Sequence, residues 1–411
     1  RDLPQLNRSG DLGREIASLR LDGRQAAVLV EALPLPQLRR AYVLLGCIAH
    51  SLANANKAAW ERVGPARTTP PASCGEAAAG PVRLPSAIAM PWSTACRRLG
   101  LPEVLTSTGL DLWNHSTCGR RSGGKRLSAR DFAPLVSMSG TKAEVGFHAV
   151  PFGVQLALAP LLREMLAVPS LVRRRGWPGG WSRLVALCER LTGALTDVVD
   201  LLGEIEQMVE PDIFYDVYRP LLGGWDEVGL ELEGVPPNEE QPPEKAADVA
   251  ASPSTSPSLS TAVAASRGLW RVVHHKGPSA GQTAILMLVD AVLGVHHGPL
   301  GCSFRREMRD KYLPRQHAKL LASIEAELEK WGSLHEAAAD VHAPVALVSA
   351  HNAAVDALIA MRKRHMRVAS NYLRKTSTGT GGSDFRTLLG ENVAATRRTR
   401  IGGGNGRHHE E

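Results

Sequence analysis

The chain has 411 residues, too many for one ordinary small core, so two domains are expected. With 44% hydrophobic and 22% charged residues it has the balance of a soluble globular protein. The net charge of +7 is spread over residues 173–175, 362–367 and 397–400, with no basic run interleaved with aromatics, so nucleic acid is not an expected partner.

Aromatics are only 5% and β-branched runs are scarce, while Ala, Leu and Arg recur at helical spacing. The predicted fold class is therefore all-α. Helices are expected over 13–30 and 36–60, followed by a Pro/Gly/Ala-rich loop over 64–82 and a short proline-bounded helix in "LPSAIAMPWSTACRRLGLP". The basic, glycine-rich "STCGRRSGGKR" over 116–126 reads as a connector. It divides a small N-terminal domain (1–115) from a large one (140–402), with 116–139 between them. Further helices are expected over 144–168, 179–209, 212–222, 278–295, 303–331 and 344–375. The segment 236–266 is rich in Pro, Ser, Ala and Glu and lacks aromatics. It cannot bury enough apolar area to offset its ordering entropy and is expected to be a disordered insertion, and the tail 403–411 is expected to be mobile.

The six cysteines are far apart and form no CxxC pair, which reads as free thiols in a reducing, cytoplasmic compartment. No apolar run is expected to reach membrane-spanning length, so no membrane partner is expected. The chain begins at Arg1, and targeting is not readable from it.

The stretch "MRKRHMRVAS" places His365 among four basic residues. At about 100° per residue, Leu358, Met361, Val368 and Tyr372 fall within roughly 60° of His365. Lys363 and Arg367 fall on the opposite face, Arg364 about 100° away, and Arg362 at the edge of the apolar stripe. His365 thus belongs to a buried face. It is either a core histidine bonded to a neighbour or a metal or haem ligand, with Arg362 able to pair with an acidic group.

Three other stretches carry candidate chemistry. "KGPSAGQ" (276–282) is a small-residue turn before an apolar helix. It suits close approach to a flat ligand, or is an ordinary helix start. Asp290 follows on that helix and, if buried, needs a partner such as arginine. In "PDIFYDVYRPLLGGW", Tyr215 and Arg219 share a helical face with Phe214 beside them. That set suits a planar apolar substrate bearing a carboxylate, or an aromatic core with a surface arginine. "TSTGTGGSD" (376–384) is a lid or a linker. The pairs His274–His275 and His296–His297 point their members in different directions and do not suggest zinc.

The chain resembles indoleamine 2,3-dioxygenases, haem enzymes of the wider tryptophan dioxygenase superfamily. The matching stretches occur in the family's order: "YVLLGCIAHSL", "LPSAIAMPW", "LGLPEVLTSTGLDLWN", "IFYDVYRPLLGGW", "GPSAGQTAILMLVDAVLG", "FRREMRDKYLPRQHAKLLASIE", the His365 helix and "GTGGSDF". The resemblance implies a small helical domain over a larger helical haem domain, expected as a monomer. It implies haem b, O2 and L-tryptophan or a related indole, with an N-formylkynurenine-type product of tryptophan catabolism. On it, His365 is the iron ligand, Arg362 contacts a propionate with Asp290 as its carboxylate partner, and Ser279 and Ala280 lie beside the haem. Phe147, Phe214 and Tyr215 form the distal wall and Arg219 binds the substrate carboxylate. Thr380, with Gly379 and Gly381, lies on a loop near the substrate ammonium.

Four positions depart from the family pattern. His148 replaces a distal aromatic, Pro151 a distal serine, Ser107 a pocket tyrosine and Pro278 a turn glycine. His148 is then a distal donor or a pocket wall. Two alternatives follow: an oxygenase of secondary metabolism with another indole substrate, or a haem-binding homologue without turnover.

Overall fold

A computed structural model describes residues 3–18, 20–63, 82–117, 127–236 and 270–402. The expected insertion, all but residue 236, most of the basic connector, nearly all of the loop over 64–82 and the tail lie outside these residues. The fold is mostly helical.

Its centre is a pair of long helices, Gly180–Met208 and Val345–Tyr372, which make the most extensive contact between elements among the described residues. The first buries Leu184, Leu187, Leu191, Leu195, Val198 and Leu201, a run of three- and four-residue spacings that makes one continuous stripe. The helix Lys142–Leu158 packs on the same partner, and Phe385–Arg398 covers the other side of the His365 helix. Tyr372 clamps the end of the pair by donating from its hydroxyl to the carbonyls of Ile205 at 3.1 Å and Val209 at 2.7 Å. One apolar core runs continuously from Leu12 to Ala395.

Short-range chemistry sets the helix ends. Thr141 caps Lys142–Leu158 by accepting from the Glu144 amide, and Asp384 caps Phe385–Arg398 by accepting from that of Thr387. Gly294 ends Ala284–Leu293 at φ 77°, where a side chain would be strained, and lets the Val295 amide reach the Asp290 carbonyl. The buried Glu144 carboxylate accepts from the amides of Met138 and Ser139, both at 2.7 Å, and so ties the loop before Lys142–Leu158 to that helix.

Several expected helices are broken. The run over 13–30 is two helices, Leu12–Ser18 and Gly23–Glu31, parted near Arg20, which has positive φ, and restarted by the Asp22 cap. The run over 303–331 is Pro299–Glu307, a π-turn Met308–Tyr312 and Arg315–Trp331, because Pro314 cannot continue the helical ladder. Among the described residues, two small sheets accompany the helices. Val82–Leu84 runs parallel to Leu230–Glu233, which pairs antiparallel with Trp270–Val273, and His115–Thr117 pairs antiparallel with Phe132–Pro134.

The helical run Lys142–Leu166 and the helix Val345–Tyr372 are long and apolar enough by length and composition to cross a membrane, which corrects the expectation that no run reaches that length. Both pack on Gly180–Met208, and core packing accounts for their apolar character. The four described cysteines, Cys47, Cys96, Cys188 and Cys302, are free thiols.

His50, fully buried on Leu35–Val63, joins two segments near the site. Its Nε2 accepts from the Leu105 amide at 2.9 Å, so its Nδ1 donates to the Leu221 carbonyl at 3.1 Å. Burial lowers its pKa to about 4, the bond to Leu221 opposing. The unfolded chain takes up this proton below about pH 6.5, whereas the folded chain resists it until about pH 4. Stability present above pH 6.5 is therefore lost as pH falls to 4, by about 3 kcal/mol. His50→Gln can keep both bonds without titrating. Urea unfolding across this window should show a flatter pH dependence for the variant, and identical slopes would refute the assignment.

Candidate active site

A cavity of about 350 Å³ opens between the His365 helix, the Lys142–Leu158 helix, the turn over 278–281 and the loop over 379–383. That volume suits a small organic ligand. Of the fifteen site residues expected from the sequence, all but Ser107 and Tyr215 line it.

On one wall stands His365. Its ring makes no hydrogen bond to the described residues and faces the cavity. Burial, and next the charge of Arg362, lower its pKa, which favours a neutral imidazole with a free ring nitrogen. Arg362 is buried one turn away. Its Nη2 meets Asp290 Oδ1 at 2.5 Å, and its Nη1 donates to the Asn392 carbonyl at 2.8 Å and to Thr396 Oγ1. Asp290 Oδ2 also accepts from His297 Nε2 at 3.0 Å and Arg305 Nη1 at 3.3 Å. Burial alone would raise the Asp290 pKa. Arg362, His297 and Arg305 outweigh it and hold that pKa at about 2. Lys363 and Arg367 are exposed, as helical phase predicts. Arg364 is not part of that solvated run, because it is half-buried and pairs with Glu206 at 3.0 Å.

The opposite chemistry gathers around Phe147 and Phe214, whose rings lie 4.6 Å apart. Residues 214–218 form a π-turn, in which the Arg219 amide donates to the Phe214 carbonyl five residues back. Phe214 thereby enters the cavity and Tyr215 does not. The Tyr215 ring lies between Arg219 and Lys375 as a cation–π partner of both, at 5.2 and 5.0 Å. Tyr215 and Arg219 lie side by side as expected, but of the two only Arg219 reaches the cavity. Arg219 donates from Nη2 to the Thr378 carbonyl at 3.0 Å, while its buried Nε has no acceptor. Among the described residues no carboxylate pairs with it.

Ser107 also differs from expectation. It is buried behind the cavity and donates to Asp111 Oδ2 at 2.5 Å, while Leu110 and Asp111 form the lining. His148 is a wall residue and not a free distal donor. Its Nδ1 bonds Asp111 Oδ1 at 2.7 Å and its Nε2 bonds the Tyr218 hydroxyl. Pro151 lines the cavity and offers no hydroxyl.

The loop over 379–383 is docked on the turn over 277–281. Thr380 donates from its hydroxyl to the Pro278 carbonyl at 2.5 Å, and the Gly277 amide donates to the Thr380 carbonyl at 3.0 Å. A Cβ on Gly381 would come within 2.9 Å of Ser279 Oγ, so a glycine permits this closure. Ser279 accepts from the Gly281 amide at 3.2 Å, and Ala280 follows at the start of a single 3-10 turn.

Sequence reasoning missed Asp111, Tyr218, His297 and Arg305 as parts of the site. Asp111 lies four residues after Ser107 and Tyr218 four after Phe214, and that spacing was the available signal. The His296–His297 doublet hid the one member that turns inward.

The family model for indoleamine 2,3-dioxygenase matches residues 2–399. The chain belongs to the indoleamine 2,3-dioxygenase family. It is 26% identical over 300 residues to an indoleamine 2,3-dioxygenase 2 of Mus musculus, which covers 72% of this chain and 63% of that protein. An indoleamine 2,3-dioxygenase of Saccharomyces cerevisiae is 25% identical over 392 residues, covering 90% and 72%. A 6-hydroxytryptophan 2,3-dioxygenase of Fusarium equiseti is 26% identical over 306 residues, covering 74% and 66%. The match spans 63% and 61% of the lengths of the mouse and human indoleamine 2,3-dioxygenases 2, less than two thirds of each.

Enzymes of this family use haem, and the residues present fit one. A neutral imidazole without a partner among the described residues faces an apolar cavity, as suits an iron ligand. Arg362, fixed by three acceptors at Nη1 and Nη2, lines the cavity with no bond to its Nε among the described residues, which suits an acidic ring edge. His365 would hold the iron and Arg362 a propionate.

Proposed function

We propose that this chain is a haem-dependent dioxygenase that adds both atoms of O2 across the C2–C3 bond of L-tryptophan or a related indole. The product is of the N-formylkynurenine type. One observation carries the reading. One apolar cavity holds, with no partner among the described residues, a neutral imidazole and a guanidinium lacking a carboxylate, His365 and Arg219.

The haem, when bound, supplies O2 binding and the redox chemistry. The chain supplies position. Arg219 lines the cavity, has no carboxylate partner among the described residues, and takes the substrate carboxylate in a charge-assisted pair. Phe147 and Phe214 pack on the indole ring and fix its plane. The docked loop excludes bulk water through Thr380 and Gly381. The Ser279–Ala280 turn lines the wall between loop and ring.

Arg219→Gln should leave haem content unchanged and lower kcat/KM for L-tryptophan about 100-fold, the effect of losing a buried charge-assisted hydrogen-bond pair. Steady-state kinetics on the haem-loaded protein checks this. Unchanged kcat/KM would remove the carboxylate from Arg219.

A further inference from the structure

The hydrogen bonds of Ser107, His148 and Tyr218 all run toward Asp111. Burial raises the Tyr218 pKa well above the usual phenol value, so its hydroxyl stays protonated and donates to His148 Nε2. His148 Nδ1 then carries the hydrogen that goes to Asp111 Oδ1. Ser107 donates to Asp111 Oδ2. An ionised carboxylate offers about four lone-pair sites, and two are used here. Asp111 and His148 line the cavity, whereas Ser107 and Tyr218 stand behind them. Asp111 thus brings a carboxylate with unused acceptor capacity to the cavity wall, and no Lys or Arg among the described residues pairs with it.

A second feature has the same polarity. Pro151 lies inside the Lys142–Leu158 helix and has no amide hydrogen, so the Phe147 carbonyl one turn earlier loses its helical donor. Both residues line the cavity. Pro151 therefore brings no amide donor to the wall near Asp111.

We infer that the Asp111–His148 corner recognises a hydroxyl on the substrate's ring, so that this cavity selects ring-hydroxylated indole amino acids over L-tryptophan. The inference rests on the function proposed above and names its substrate class. An unsubstituted benzo edge presents only C–H groups. Seated here it would strip water from Asp111 and return no hydrogen bond. A ring hydroxyl donates to the carboxylate and restores what the water gave. His148 and Ser107 act as positioning residues that aim the carboxylate.

The test uses the haem-loaded protein and absorbance titrations with L-tryptophan and a set of tryptophans hydroxylated at different benzo carbons. At least one hydroxylated ligand should bind roughly tenfold or more tightly than L-tryptophan, the scale of a hydrogen bond to a charged acceptor. Asp111→Asn, which keeps the side-chain shape, should reduce that preference to roughly twofold or less. Normal haem loading with every hydroxylated ligand binding like tryptophan or more weakly would overturn the inference and leave the dioxygenase reading standing. The wild-type comparison decides this even if the variant fails to fold. A wild-type protein that takes up no haem would overturn both.

Discussion

Replacement of His365 by Ala is expected to give a folded protein that no longer acquires a haem absorbance band. Among the described residues, His365 is the only histidine on the cavity wall whose ring has no partner, since His148 and His297 are each bonded at both nitrogens. Metal binding needs the neutral form, which burial favours at His365. The same lack of partners explains why the fold should survive, because removing the ring orphans no donor or acceptor. Circular dichroism should match the wild type, and reconstitution with haem should leave the visible spectrum of free haem. Stoichiometric haem with an unchanged spectrum would transfer the ligand role elsewhere.

Helical phase made His365 legible before any comparison with other proteins. Residues 358, 361, 365, 368 and 372 follow a local rule, and the 28-residue helix Val345–Tyr372 obeys it along its length. Phase could not place Arg364, because its partner Glu206 lies 158 residues away on another helix. The pocket edges failed for a related reason. Residues 108–112 and 214–218 are π-turns, which rotate each later side chain relative to α geometry. That moves Asp111 into the lining in place of Ser107, and turns Tyr215 away from the cavity that Phe214 enters. Tertiary packing selects such turns, and no propensity announces them. The strands were equally silent, since three or four residues such as Val82–Leu84 are too few for an alternation to register. The resemblance supplied the pairing of Arg362 with Asp290, and charge alone would also have allowed Arg305, which the structure shows to be a second partner.

Asp290 is expected to be the most costly polar position in the fold. It sits 7% exposed among Arg362, Arg305 and His297, and Arg362 and His297 also anchor to Asn392 on the Phe385–Arg398 helix. Asp290→Asn keeps the shape and removes the charge, leaving the buried Arg362 guanidinium without its counter-ion. Breaking one side of such a pair costs about 3–5 kcal/mol. Against a typical stability of about 5–15 kcal/mol this is a large share. Removing both sides, as in Asp290→Leu with Arg362→Met, should cost less than the single change, because no uncompensated charge remains and Arg305 retains Glu325 at 3.1 Å. Urea unfolding of the three proteins without haem separates the cases. A double variant less stable than Asp290→Asn would show that the pair contributes net stability. The pH dependence follows from the lowered pKa. The carboxylate's contribution is complete above the unfolded value near 3.8 and is lost as pH falls through about 2. Acid unfolding of the wild type should therefore draw on Asp290 only in that last interval, after the His50 contribution has already gone.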